Sequence, residues 1–290
     1  MEAVAARVVD AVVDTTARED VCDAAVPTFL LRRYLSTDAV STNALSTDGL
    51  GTDSADVRGA LGLALAQGLA LGGSDATVIG RAAWLTLLVE ATAVAEDERI
   101  LPAAAELITG LQAEWPAQTR IDEASASVEA CLRAAEIVDP GPLVQNAIDQ
   151  LERVIGGSYR PGDGLVRERA GLRVRCSLDD HVRAASALLT AFELTGRLPY
   201  SMLAEELMAI AGREPPPDAD IVIQCEAARV LCRLAALHDD PGYRGAAVIA
   251  TGADYRADAS RILSAQSARA LAGSPAHAAA YGLAILDLLK

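Results

Sequence analysis

Five apolar stretches of this chain are interrupted, at an equivalent place, by a residue that can do chemistry or grip a ligand. They read Ala82-Ala83-Trp84, Ser127-Val128-Glu129, Ala184-Ala185-Ser186, Ala227-Ala228-Arg229 and Ala279-Ala280-Tyr281. On a helix, residues three or four away share the face of the variable one. That adds Arg81, Arg133, Arg183, Thr190, Glu226, Arg233 and His277. The candidate ligand-binding residues are therefore Trp84, Glu129, Arg133, Arg183, Glu226, Arg229, Arg233, His277 and Tyr281. Arginine forks hold carboxylates or phosphates through two parallel hydrogen bonds. Aromatic faces and a few placed polar groups are the usual lining of a small-molecule pocket. Two readings stand: the stripe lines an internal cavity, or it is a solvated face. In the second, Glu129 with Arg133 and Glu226 with Arg229 pair along their own helices, worth a few tenths of a kcal/mol each.

Asp179, Asp180 and His181 form a second constellation, at the start of an apolar helical run. Asp180 and His181 would serve as an acid–base pair if they converged on a ligand. Alternatively Ser177 caps the helix and Asp180 sits in its first turn, where the helix dipole favours an anion. Adjacent helical residues point apart, which favours the cap. His238, before Asp239-Asp240, reads as a turn residue, and Glu123, Asp163 and Glu168 fall on loops that would border a lumen. Paired carboxyls permit glycoside hydrolysis only at a suitable separation. The sequence has no GxSxG elbow, HExxH, P-loop or GxGxxG, so the commonest hydrolase, zincin, nucleotidase and dehydrogenase chemistries are not expected. No cofactor and no metal are expected either.

The elements that must position these residues recur. The variable positions 84, 129, 186, 229 and 281 are spaced by 45, 57, 43 and 52 residues, enough for two helices and two loops. After four of the stretches comes a turn-rich phrase with an apolar anchor: Ile100, Leu143, Tyr200 and Tyr243. Each then leads into a second amphipathic helix. This is the αα-hairpin, and the chain predicts about twelve helices so paired. The fold class is all-α, either an α/α toroid of the six-hairpin type or an open αα-hairpin solenoid. Solenoids keep nearly constant repeat lengths; these vary, which favours the toroid. A single domain over 1–290 is expected. It would be broken by a flexible polar loop at about 36–54 and a non-helical insert at about 156–176, where alternation around Ala170-Gly171 suggests a β-hairpin.

Composition sets the rest. Hydrophobic residues make up 51% of the chain and aromatics 3%, so Ala, Leu, Val and Ile must fill the core. Forty acids against 25 bases give −15, which disfavours nucleic-acid and anionic-membrane partners. Lys290 is the single lysine; a salt-rich cytoplasm or a GC-rich genome would each produce an acidic, arginine-biased chain. The start lacks a basic, cleavable leader and no long uncharged stretch occurs, so a cytoplasmic location is expected. Cys22, Cys131, Cys176, Cys225 and Cys232 show no metal-binding spacing and read as buried thiols.

The segments DDHVRAASALLTAFELTGRLPYSMLAEEL, CEAARVLCRLAALHDDPGYRGAAV and AHAAAYGLAILDLL resemble hairpins in the toroid portion of YyaL-like thioredoxin-domain-containing proteins, and VPTFLLRRYLSTDA is similar to a segment near that family's start. The resemblance implies a toroid related to N-acylglucosamine 2-epimerases and six-hairpin glycosidases, with a sugar-like or anionic small ligand. The thioredoxin-like domain and the family's most characteristic motifs are missing, so no catalytic residue carries over. The chain is expected either to bind a carbohydrate-like ligand in a lumen or to be a non-catalytic scaffold with a protein partner.

Overall fold

The computed structural model describes residues 2–13, 23–41, 54–70, 77–138, 140–169, 171–212, 219–246 and 252–290. Of these, 79% are helical. The helices are α1 (Glu2–Val13), α2 (Ala25–Ser41), α3 (Ser54–Ala70), α4 (Val78–Ala91), α5 (Ile100–Glu114), α6 (Ile121–Ala134) and α7 (Pro140–Ser158). After three short strands come α8 (Leu178–Thr195), α9 (Leu198–Ala211), α10 (Ile221–Asp239), the one-turn α11 (Pro241–Ala246), α12 (Tyr255–Ala272) and α13 (Pro275–Leu288). Residues 36–41 of the expected polar loop continue α2; 42–53 lie outside the described residues, as does Cys22.

Helix ends follow local chemistry. Ser177 caps α8: its hydroxyl accepts from Asp180 N, while the Asp180 carboxylate accepts from Ser177 N, a reciprocal box that satisfies two otherwise orphaned donors. Gly196 ends the same helix at φ 66°, a left-handed conformation that glycine adopts without strain. Ser274 and His277 form the equivalent box at α13.

Packing closes the helices into a ring. α2 packs on α4, α4 on α6, α6 on α8, α8 on α10, α10 on α13, and α13 back on α2. That last seam distinguishes a toroid from an open solenoid, and the protein is an α/α toroid of six inner helices. α3, α5, α7, α9, α12 and α1 form the outer layer, each joined or packed to an inner helix. Because every inner helix is entered from an outer one, the six run parallel and their N-termini share one face of the ring. Inner helices carry Ala on the faces that meet, including Ala82, Ala130, Ala134, Ala184, Ala187, Ala228 and Ala279, all buried. Small side chains let six axes crowd around one centre.

The close approach is strictest at Gly282 on α13. A Cβ there would lie 2.4 Å from Phe29 Cε2 on α2 and 2.9 Å from Val4 Cγ1 on α1. Alanine is the better helix former by about 1 kcal/mol, but overpacking a rigid core costs about 1–3 kcal/mol. Gly282→Ala is therefore expected to lower stability by about 1–2 kcal/mol in urea unfolding; a stabilised variant would show that the three helices part easily.

The only strands among the described residues are β1 (Tyr159–Arg160), β2 (Gly164–Arg169) and β3 (Leu172–Arg175), an antiparallel sheet in that order. They connect α7 to α8, and so lie on the face that carries the inner N-termini. Among the described residues no helix is long and apolar enough to cross a membrane.

Candidate functional site

Side chains from all six inner helices enclose a central cavity of about 330 Å³. Its lining includes Thr28 and Arg32 (α2), Ala83 and Thr86 (α4), Glu129 and Arg133 (α6). It also includes Arg183 and Ser186 (α8), Glu226, Arg229 and Arg233 (α10), and Asp287 (α13).

The C-terminal half of this lumen is a floor of interlocked ion pairs. Glu129 Oε1 accepts from Arg133 Nη2 at 2.8 Å, from the Thr190 hydroxyl at 3.1 Å and from Arg233 Nη1 at 3.5 Å. Burial alone would raise this carboxyl, but Arg133 and Arg233 outweigh it and hold it at about 2. Arg233 also donates to Ser186 O at 3.1 Å and to Glu193 at 2.9 Å. Burial, with Arg133 beside it, lowers Arg233 from its usual value, and it remains a cation at neutral pH. Across the ring, Arg32 grips Glu90 through Nε at 2.9 Å and Nη2 at 2.5 Å. Asp287 accepts from Arg229 Nε at 2.8 Å and lies 3.6 Å from Arg32 Nη1.

The N-terminal half is different. Arg183 donates through Nε to Asp179 at 2.6 Å and pairs through Nη1 with Glu226 at 3.2 Å. Burial raises both Asp179 and Glu226, and Arg183 opposes without reversing it; Asp122 and Asp180 push Asp179 further. Asp122 at the start of α6 goes the other way. Its burial is outweighed by Arg120, bonded at 2.5 Å, so it is held below the ordinary carboxyl value. Glu226 lines the lumen, while Asp179 is tied to it through the Arg183 ion pairs and Asp122 through the charge of Arg183. One carboxyl held low thus stands near two that hold protons more readily, the arrangement that separates acid and base roles.

Of the residues expected from sequence, Glu129, Arg133, Arg183, Glu226, Arg229 and Arg233 line the lumen. Trp84 does not: it is buried between layers, and a Cβ at Gly68 would lie 1.9 Å from its ring. Tyr281 packs, half-buried, against the core. His277 accepts from Ser274 N in the helix cap. Asp180 is buried and accepts from Ser177 N, Ser177 Oγ and Arg167 Nη2, so it serves structure. His181 is buried under the strands, with Nε2 accepting from Leu165 N at 3.1 Å. Arg32, Asp122 and Asp287 were not among the expected residues, and Asp179 was named only within the constellation with Asp180 and His181. Asp179 and Asp122 sit in first turns, where acids are ordinary caps, and Asp287 is only three residues from the chain's last residue.

A larger cavity, about 880 Å³, lies outside the ring between α3, α4 and α5, beside Arg81 and Trp84. Of its acids, Glu96, Glu98 and Glu106 are exposed and Asp97 is held by the exposed Arg99, whereas the lumen carboxyls are held by arginines that are themselves largely buried. The lumen is the better candidate site. The described thiols Cys131, Cys176, Cys225 and Cys232 are free and buried, and burial pushes Cys131 and Cys225 up to about 12. No group of metal-ligating side chains occurs among the described residues.

Solved structures share this fold. The chain is similar to the α-1,6-mannanase GH76A of Salegentibacter sp. HEL1_6, with a TM-score of 0.61, 10% identity, and 93% of this chain against 88% of that one covered. An inactive variant of that enzyme with two consecutive aspartates changed to alanine, in complex with α-1,6-mannotetrose, gives a TM-score of 0.64 at 10% identity, covering 92% and 88%. The asparagine variant, in complex with α-1,6-mannotriose, gives 0.62 at 9% identity, covering 93% and 88%. The shared property is the toroid. No protein-family model matches the sequence, and no curated protein is significantly similar to it.

Proposed function

We propose that the chain is a glycosidase-like toroid that takes one unit of a neutral oligosaccharide into its mouth and cleaves the adjoining glycosidic bond. The observation that carries this reading is the trio Asp122, Asp179 and Glu226 around Arg183, with opposed proton affinities. Asp179 or Glu226 would protonate the leaving oxygen as the C1–O bond breaks. Ionised Asp122 would assist attack at C1, with water supplying the hydroxyl that C1 gains. A cavity of about 330 Å³ is at the small end of ligand pockets, about 300–1,000 Å³. The remainder of a saccharide chain would therefore run across the mouth.

Charge balance in the lumen favours a neutral ligand over an anionic one, since its arginines are already paired with carboxylates. With Trp84 and Tyr281 outside the lumen, recognition would rest on hydrogen bonds. Support also comes from the resemblance to YyaL-like toroids and from oligosaccharide complexes of the mannanase neighbour, whose inactivating changes fall on consecutive aspartates. Here consecutive acids begin α6 (Asp122-Glu123) and α8 (Asp179-Asp180).

The test is reducing-end release from a panel of neutral and uronic-acid oligosaccharides, with Asp122→Asn, Asp179→Asn and Glu226→Gln alongside. Loss of an essential acid or base is expected to cut turnover by about 10²–10⁴-fold. Asp179→Asn and Glu226→Gln should keep a melting temperature near that of the parent, whereas Asp122→Asn, which removes the charge held by Arg120, should lower it. No release and no thermal stabilisation by any saccharide would overturn the proposal. It would favour the alternative, a non-catalytic scaffold with a protein partner, which the self-satisfied ion pairs of the floor would then serve. The free buried thiols suit the cytoplasmic location that accompanies either reading.

A further inference from the structure

The strands between α7 and α8 lie on the mouth face and are tied down at three places. Tyr159 donates to Glu206 on α9 at 2.6 Å, and Gly162 N donates to the same carboxylate at 3.1 Å. Arg167 on β2 donates to Asp180 on α8 at 2.8 Å. The third tie is unlike these. Leu165 N, in a strand residue that is itself wholly buried, donates to a histidine ring nitrogen, Nε2 of His181, at 3.1 Å. The other ring nitrogen, Nδ1, lies 2.8 Å from Ser177 O. A carbonyl can only accept, so Nδ1 carries the proton and Nε2 offers its lone pair; the ring is neutral with its tautomer fixed by both partners. The approach is tight: Gly164 adopts φ +77°, and a Cβ there would lie 2.7 Å from Nε2.

We propose that His181 is a pH-sensitive latch: neutral, it holds the β2–β3 hairpin down at the lumen mouth, and protonated, it releases it. A proton on Nε2 would replace the lone pair that Leu165 N–H uses and set two N–H groups against each other at hydrogen-bond distance. The buried amide would then lose the ring nitrogen that accepts from it, and a buried donor left without its acceptor is destabilising. The charged neighbours do not remove this penalty. On its own helix Asp180 favours the cation but is occupied by Ser177 and Arg167; from β3, Arg175 opposes it; α9 presents Ile210 and the strand-bound Glu206; Arg120, at the cap of α6, reaches Asp180 rather than the ring. Burial leads in keeping the ring below its ordinary value.

The sign follows. A histidine whose closed-state value is depressed stabilises the closed state fully above about pH 6.5, and that advantage falls tenfold per pH unit below it until the depressed value is reached. Carboxyls of ordinary affinity take up few protons between pH 7.5 and 5.5. The inference concerns the hairpin and its anchor alone, and holds whatever the lumen binds.

Native-state hydrogen exchange at the Leu165 amide, corrected for intrinsic rates, tests it on the full chain. From pH 7.5 to 5.5 protection at Leu165 is expected to fall, by up to about tenfold, while amides in the middle of α10 keep theirs. His181→Gln supplies an acceptor that cannot titrate in this range, so its Leu165 protection should be flat with pH. Should that variant not fold, Gly164→Ala is the second arm: its Cβ forces the ring aside, so protection should be low at pH 7.5 and lose its slope. A flat wild-type profile, or the wild-type slope retained in His181→Gln or Gly164→Ala, overturns the latch. These outcomes are independent of saccharide turnover, so failure here leaves the proposed activity standing, and the reverse.

Discussion

Replacing Glu129 by alanine is expected to cost about 3–5 kcal/mol of folding stability, the range for removing one partner of a buried ion pair. The carboxylate is 17% exposed and serves Arg133 and Arg233 together, so its loss leaves two partly buried cations facing each other on α6 and α10. Arg133 is 28% and Arg233 21% exposed; neither can turn fully to solvent without leaving its helix face. The same residue sets an acid limit. With its carboxyl held at about 2 against an ordinary 4.5, Glu129 contributes about 3 kcal/mol. That contribution is complete above the unfolded value and is lost as pH falls from about 4.5 towards 2. Urea unfolding at pH 7 and pH 3 checks both statements. Glu129→Gln should be much less stable than wild type at pH 7, and the gap should narrow at pH 3. A loss below 1 kcal/mol at pH 7 would mean that the floor repacks around water.

Asp287→Asn is expected to weaken the seam that closes the ring, at a cost of about 3 kcal/mol, the low end for a buried pair. Asp287 is 14% exposed and joins α13 to α10 through Arg229 and to α2 through Arg32. Burial alone would raise its carboxyl; Arg229 first and Arg32 second overcome this and hold it at about 2. Lys290, 72% exposed, adds little. The amide keeps the shape but removes the charge from between two guanidinium groups. Hydrogen exchange should then rise in α2 and α13 more than in α6 and α8, because only the former pair flanks the seam. Uniform exchange across all six inner helices would show that closure does not depend on this contact.

How much was legible in advance differs by hairpin. In α6, α8 and α10 the variable residue of the repeated phrase faces the lumen, as Glu129, Ser186 and Arg229 do. In α4 and α13 the second small residue does so instead, Ala83 and Ala280. Trp84 and Tyr281 are thereby turned away. One residue is about 100° of helix, so aligning phrases by composition places a stripe only to within a third of a turn. Trp84 shows why composition misled: a large ring in an Ala-rich phrase stood out as a ligand platform, but it fills the gap that Gly68 leaves on α3. The sixth inner helix, α2, has its small pair, Ala24-Ala25, only at its start, and Arg32 lies too far beyond it to be assigned a face.

By itself, then, the sequence determined the helices, their pairing into hairpins, the position of the β insert and the apolar, Ala-rich character of the inner layer. These depend on period, turn chemistry and caps, all of which act within a few residues. Tertiary structure alone decided that the chain closes, that Asp122, Asp179 and Glu226 come within reach of Arg183, and that their proton affinities diverge. Residues 122, 179 and 226 are separated by whole hairpins, and whether burial or a neighbouring arginine governs each carboxyl depends on distances of a few ångströms across the ring. Local sequence holds no record of such distances.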